Sequence, residues 1–105
     1  MRFYGLKTCD TCRKALKALV GQDITYIDVR EDGIAAAVLE QAYAKFGAAM
    51  VNKSSTTWRG LSDAEKAKPP LDLLKAHPTL MKRPLIVDGA RITLGWKADV
   101  QALYQ

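Results

Sequence analysis

Two sulfurs and a few guanidinium groups are the residues of this chain that could do chemistry. Cys9 and Cys12 are its only cysteines, spaced Cys9-Asp10-Thr11-Cys12. They follow a short apolar run, Arg2-Phe3-Tyr4, and stand where a helical pattern opens, with Ala15, Leu16, Leu19 and Val20 at helical spacing. A Cys-x-x-Cys at a strand-to-helix junction is a redox signature, and the reason is electrostatic. With Cys9 at the N-cap and Cys12 at the third helical position, the Cys9 thiolate faces the free N–H groups and positive pole of the helix. That environment draws a thiol pKa from roughly 8.5 toward roughly 3.5–7.5. Cys12 shares a helix face with Leu16 and Leu19, so it is recessed toward a core, from where it can attack a mixed disulfide formed at Cys9. Lys7, Arg13 and Lys14 add charge in favour of the thiolate while Asp10 opposes it, so the expected depression is moderate.

Other uses of the pair fit less well. A zinc site wants a fuller ligand set than two thiolates, and His77 is the chain's one histidine, so no metal is expected. A static disulfide between residues this close would close too short a loop to stabilise much. With 105 residues, 49% of them hydrophobic, the chain can bury roughly two thirds of its unfolded surface as one domain spanning residues 1–105. A monomer is expected. It has no apolar run long enough to cross a bilayer and no signal-peptide pattern, so a cytoplasmic location is expected, where dithiols are kept reduced. The formal net charge of +5 is scattered, without the dense basic run that tracks nucleic acid, and fits small anions or an acidic protein partner as well.

The elements that must position the sulfurs follow from the rest of the sequence. The first helix runs from about Asp10 to Val20 and stops at Gly21. Ile24-Thr25-Tyr26-Ile27-Asp28-Val29 reads as a strand, and strand–helix–strand makes the first two strands parallel. A turn at Arg30–Gly33, with Asp32 as a cap, leads into an amphipathic helix carrying Val38, Leu39, Ala42, Tyr43 and Phe46 and ending at Gly47. Ser54-Ser55-Thr56-Thr57 before Trp58-Arg59 can cap a short helix or bond an anion, capping being the commoner use. Ser62-Asp63-Ala64-Glu65 spells a capping box. Proline opens the next helix, Leu71–Ala76, and His77-Pro78 closes it, with His77 an exposed, non-catalytic residue at the helix end. Two apolar runs across Asp88-Gly89 form a hairpin, with Pro84 at its very start. A last helix from about Lys97 to Tyr104 presents Val100, Leu103 and Tyr104 to the core. The order is α/β, a mixed four-stranded sheet flanked by helices, with a helical insertion in the middle.

That order, with Cys-x-x-Cys opening the first helix and an X-Pro opening the third strand, resembles the thioredoxin superfamily, and within it the arsenate reductase-like family of ArsC, Spx and YffB proteins. The marks are Tyr4-Gly5-x-x-x-Cys9-Asp10-Thr11, the block Asn52-x-x-x-Thr56-Thr57-Trp58-Arg59, His77-Pro78 ahead of Lys82-Arg83-Pro84-Leu85-Ile86-Val87, and Gly95-Trp96. The Asn52–Arg59 block is most similar to the YffB type; the paired cysteines are similar to those of Spx.

The resemblance implies a thioredoxin-like fold and a cytoplasmic thiol-dependent reductase that acts on an oxyanion or a glutathione mixed disulfide through Cys9. By it, Arg59 and Arg83 match arginines that hold the arsenate or thiol adduct, and Pro84 matches a cis-proline facing the active cysteine. Guanidinium groups suit a tetrahedral oxyanion through paired hydrogen bonds and also stabilise a thiolate. Arg13 joins them as an anion-positioning residue, and Cys12 resolves. No bound cofactor is implied; glutathione or another thiol is the reductant. Two features depart from the pattern: Lys97 stands near where arsenate reductases carry a third arginine, and Cys12 is a second thiol that YffB-type proteins often lack. The alternative is a Spx-like regulator, in which the cysteines are a redox switch and the partner is the RNA polymerase α subunit.

Overall fold

The computed structural model describes residues 1–104. Its regular elements are β1 (Arg2–Gly5), α1 (Asp10–Ala18), β2 (Thr25–Asp28), α2 (Ala36–Phe46), α3 (Thr56–Arg59), α4 (Asp63–Lys66), α5 (Pro70–Ala76), β3 (Leu85–Asp88), β4 (Arg91–Leu94) and α6 (Ala98–Leu103), with 3-10 turns at Gly47–Met50 and Pro78–Leu80. They form two compact units, Met1–Asp32 with the chain from Arg83 onward, and Gly33–Lys82.

The first unit carries the sheet, in the order β2-β1-β3-β4. β1 and β2 are parallel, as a helical crossover demands, and β3 runs antiparallel to both of its neighbours. The register sets Tyr26 beside Phe3, Phe3 beside Ile86 and Ile86 beside Thr93, so one face of the sheet is aromatic and aliphatic. Onto it α1 lays Cys12 and Ala15, and Leu19 just beyond its end, making one buried cluster with Phe3 and Ile86. Burying a side chain such as Phe3, Leu19 or Ile86 contributes about 1.5–3 kcal/mol, so this cluster anchors the helix start that holds the sulfurs. At the other edge Tyr104 stacks on Trp96, and its hydroxyl bonds Thr93 Oγ1 at 2.8 Å.

The second unit is helical. α2 buries Val38, Leu39 and Ala42 and packs against α5, which buries Leu73 and Leu74. α2 ends at Gly47, whose φ of 62° is one that glycine adopts without the strain a side chain would bring. Both expected caps are present: the Ser55 hydroxyl accepts from Trp58 N–H, and Ser62 and Glu65 close a reciprocal capping box.

Three local expectations are corrected. Val20 is 84% exposed, because α1 ends at Ala18 and Gly21, at φ 92°, turns the chain away before another apolar residue can face the core. Asp32 caps nothing; Ala35 is the N-cap of α2, and the preceding turn is held instead by Asp28 Oδ1, which accepts from Arg30 N–H at 2.8 Å and Glu31 N–H at 3.1 Å. Leu103 is 48% exposed; on a helix this short, Val100 alone is buried, and the Leu103 carbonyl accepts from Arg91 Nη1.

Candidate active site

Cys9 is the N-cap residue of α1, with extended φ and ψ, and Cys12 is the third helical residue. The loop before them is tied down by Cys9 N–H donating to the Leu6 carbonyl at 3.1 Å, and the helix begins with Arg13 N–H on the Cys9 carbonyl at 3.0 Å. Both thiols are free. Cys9 is partly exposed while Cys12 is fully buried, so one sulfur can meet a solute and the other cannot.

Their titrations diverge accordingly. Burial pushes the Cys9 thiol up, but the backbone N–H of Cys12, the Cys12 thiol and the Arg83 guanidinium all donate toward its sulfur and together bring it below the ordinary value. The sulfur closes no cap hydrogen bond of ordinary geometry, so this is stabilisation by a field of donors rather than by one bond. Cys12 is pushed up to about 12, first by burial and then, against the Leu6 N–H, by the neighbouring Cys9. One thiol is thus disposed to be a thiolate and the other to keep its proton and donate it.

Arg83 reaches the sulfur from a distant part of the chain, the residue just ahead of β3. The Arg83–Pro84 peptide is cis, Pro84 is buried, and its carbonyl accepts from Gly95 N–H at 2.9 Å. Arg13 pairs with Asp10 on the exposed side of α1, an ion pair that offsets the carboxylate beside Cys9. Arg59 belongs to the Gly33–Lys82 unit, where its Nη2 donates to the Ser54 carbonyl at 2.8 Å. His77 lies in that unit too, 3.3 Å from Glu65 Oε2 and half-buried, so the helix-end histidine has a carboxylate partner.

Two residues of the site were not singled out for a role by sequence reasoning. A Cβ on Gly5 would lie 2.8 Å from Phe3 Cε1 and 2.9 Å from Cys12 Sγ, so only glycine lets the first turn of α1 come this close to β1. Tyr26 stacks on Phe3 with ring centroids 5.8 Å apart, and its buried hydroxyl has no hydrogen-bond partner among the described residues. Burial, then the charges of Asp28, Cys12 and Cys9, push the phenol up. The glycine signal was available as a Gly two positions after a core Phe in a strand; the tyrosine gave none, since a strand tyrosine is ordinary. Among the described residues no group of three or more His, Cys, Asp or Glu gathers in a way that could hold a metal, and no helix is long and apolar enough to cross a membrane.

Compared with known proteins, residues 4–102 match the model of the ArsC family. An uncharacterised protein of Haemophilus influenzae is 41% identical over 96% of each chain, and the uncharacterised protein YusI of Bacillus subtilis is 35% identical over 94% of this chain and 92% of its own. Among solved structures, the YffB (PA3664) protein matches with a TM-score of 0.89 and 32% identity, covering 98% of this chain and 96% of that one. A possible arsenate reductase from Streptococcus mutans UA159 matches with a TM-score of 0.78 and 27% identity, over 97% of this chain and 95% of that one. The fold is the α/β, thioredoxin-like one that the order of elements implied.

Proposed function

Since this chain belongs to the ArsC family, we propose that it is a thiol-dependent reductase in which Cys9 attacks and Cys12 resolves. The observation that carries the reading is geometric: a partly exposed Cys9 at the N-cap of α1 and a fully buried Cys12 one turn on, with the two thiols displaced in opposite directions, Cys9 down and Cys12 up. With a glutathione mixed disulfide as substrate, the Cys9 thiolate attacks the glutathione sulfur. A sulfur–sulfur bond forms at Cys9, and the substrate leaves as a thiolate that takes a proton from water. Cys12 is a poor attacker before this step. The new bond removes the negative charge at Cys9, and with it two of the influences that hold the Cys12 proton. Cys12 then loses that proton and attacks the Cys9 sulfur, the Cys9–Cys12 bond forms, and glutathione leaves as thiolate. Two molecules of external thiol reduce the pair and are themselves oxidised to a disulfide.

An oxyanion substrate enters the same cycle. The Cys9 sulfur displaces an oxygen, lost as water after protonation, to give a thiol adduct. Attack of a second thiol on that sulfur leaves the bonding electrons on the central atom, which is reduced by two electrons. Arg83 donates to the attacking sulfur and to the incoming anion, and Arg13 exchanges Asp10 for the substrate's charge. A cytoplasmic setting supplies the reductant.

The deciding experiment offers the purified protein a glutathione mixed disulfide, or arsenate, with glutathione or thioredoxin recycling coupled to NADPH. Turnover is expected in the wild type and lost in Cys9→Ser, while Cys12→Ser accumulates a glutathione adduct on Cys9 by intact mass. Absence of turnover with both reductants and of any adduct removes the proposal.

A further inference from the structure

The Gly33–Lys82 unit contains a cleft that no step of the thiol cycle uses. Its empty space is about 390 Å³, the open mouth included. Val51, Pro70 and Leu73 give it apolar walls, and Trp58 stands beside them. Lys53, Lys66 and Lys68 also line it, and the first two hold their ammonium groups over the Trp58 ring, 5.6 and 5.5 Å from its centroid. Among the described residues no acidic side chain lines the cleft, and none of the three lysines is in an ion pair. Glu65, the carboxylate next to Lys66, is drawn off by Ser62 and His77.

The backbone that carries Lys53, Trp58 and Lys66 is fixed by local hydrogen bonds. Asn52 Oδ1 accepts from Ser54 N–H at 3.0 Å, and Ser55 Oγ accepts from Trp58 N–H at 3.1 Å, which fixes the turn carrying Lys53 and the indole. The capping box orients α4 and Lys66, and the buried Leu73 anchors the opposite wall. Three like charges held round one apolar hollow repel each other, and an entering anion relieves that repulsion. The walls reject a bare hydrated ion, and the ammonium groups reject a cation.

We infer that this cleft binds a small organic anion, a carboxylate carrying a short apolar body, and that Lys53, Lys66 and Lys68 hold its charge. The test uses Trp96→Phe, which leaves Trp58 as the only indole, and follows its fluorescence. Octanoate is expected to saturate near about 1 mM, what about ten non-hydrogen atoms return at modest ligand efficiency. Octylammonium, the same chain with the opposite charge, and inorganic phosphate, a charge without a chain, are each expected to bind at least tenfold more weakly, and added salt to weaken octanoate. Replacing the three lysines by Gln should weaken octanoate by about tenfold, as the loss of three exposed ion pairs predicts, whereas Lys→Arg at the same positions should retain it. Should the triple variant unfold, the exposed Lys53→Gln alone should weaken octanoate measurably. Octanoate that leaves Trp58 unchanged, or that binds the Gln variants as tightly as the wild type, or octylammonium that binds equally well, overturns the assignment.

Discussion

Gly5→Ala is the sharpest test of how the site is packed. The added methyl would meet Phe3 Cε1 at 2.8 Å and Cys12 Sγ at 2.9 Å, both in fully buried side chains. Each neighbour must retreat by about half an ångström to reach ordinary contact, and neither is a free side-chain end: Phe3 is stacked on Tyr26 and Cys12 is on the first turn of α1. Overpacking of this kind costs about 1–3 kcal/mol. Replacing a strand glycine also restrains the unfolded chain, which returns up to about 1 kcal/mol. The net expectation is a destabilisation of about 1–2 kcal/mol, or a Tm lower by about 4–16 °C for a domain of this size. Urea denaturation measures it directly, with an unchanged m-value showing that the surface exposed on unfolding is the same in both proteins. Cys12→Ala in the same background deletes one of the two clashing atoms, so a double-mutant cycle should show coupling of at least about 0.5 kcal/mol. Gly5→Ala as stable as the wild type, or fully additive with Cys12→Ala, would refute the close approach.

Three further predictions concern titration and capping. Alkylation of Cys9 by iodoacetamide should rise with pH through a midpoint below that of a free thiol, and Arg83→Gln should move the midpoint upward by removing a donor and a positive charge from the sulfur; an unmoved midpoint in the variant would detach Arg83 from the site. Cys12 carries the opposite sign: its proton is held in the folded state to about 12 against 9.0 for the free group, so its contribution is intact below about pH 9 and declines above it by up to about 1.4 kcal/mol per unit. Chemical denaturation of wild type and Cys12→Ala across pH 8.5–11 should show a shallower loss in the variant, and parallel curves would contradict it. Ser62→Ala opens the capping box of α4 and should cost about 1 kcal/mol by urea denaturation, with no change in Cys9 alkylation.

Much of this protein was legible locally. The N-cap placement of Cys9, the burial of Cys12, the parallel β1–β2 pair, the β3–β4 hairpin and the caps at Ser55 and Ser62 each follow from a few neighbouring residues, because helix period, turn chemistry and cap hydrogen bonds act over short stretches of chain. The errors at Val20 and Leu103 arose where periodicity ran past the point at which the chain stops being a helix or has core left to meet. What only the tertiary structure decided is which groups surround the sulfur. Arg83 donates to Cys9, Tyr26 leaves a buried hydroxyl without a partner among the described residues, and Gly5 yields its side-chain space to Cys12, all through sheet pairing and close packing between residues remote in sequence. A thiol's pKa is set by every charge and dipole within a few ångströms, so two cysteines at a helix start could announce redox chemistry and which sulfur attacks, while the remote groups that tune each thiol required the fold.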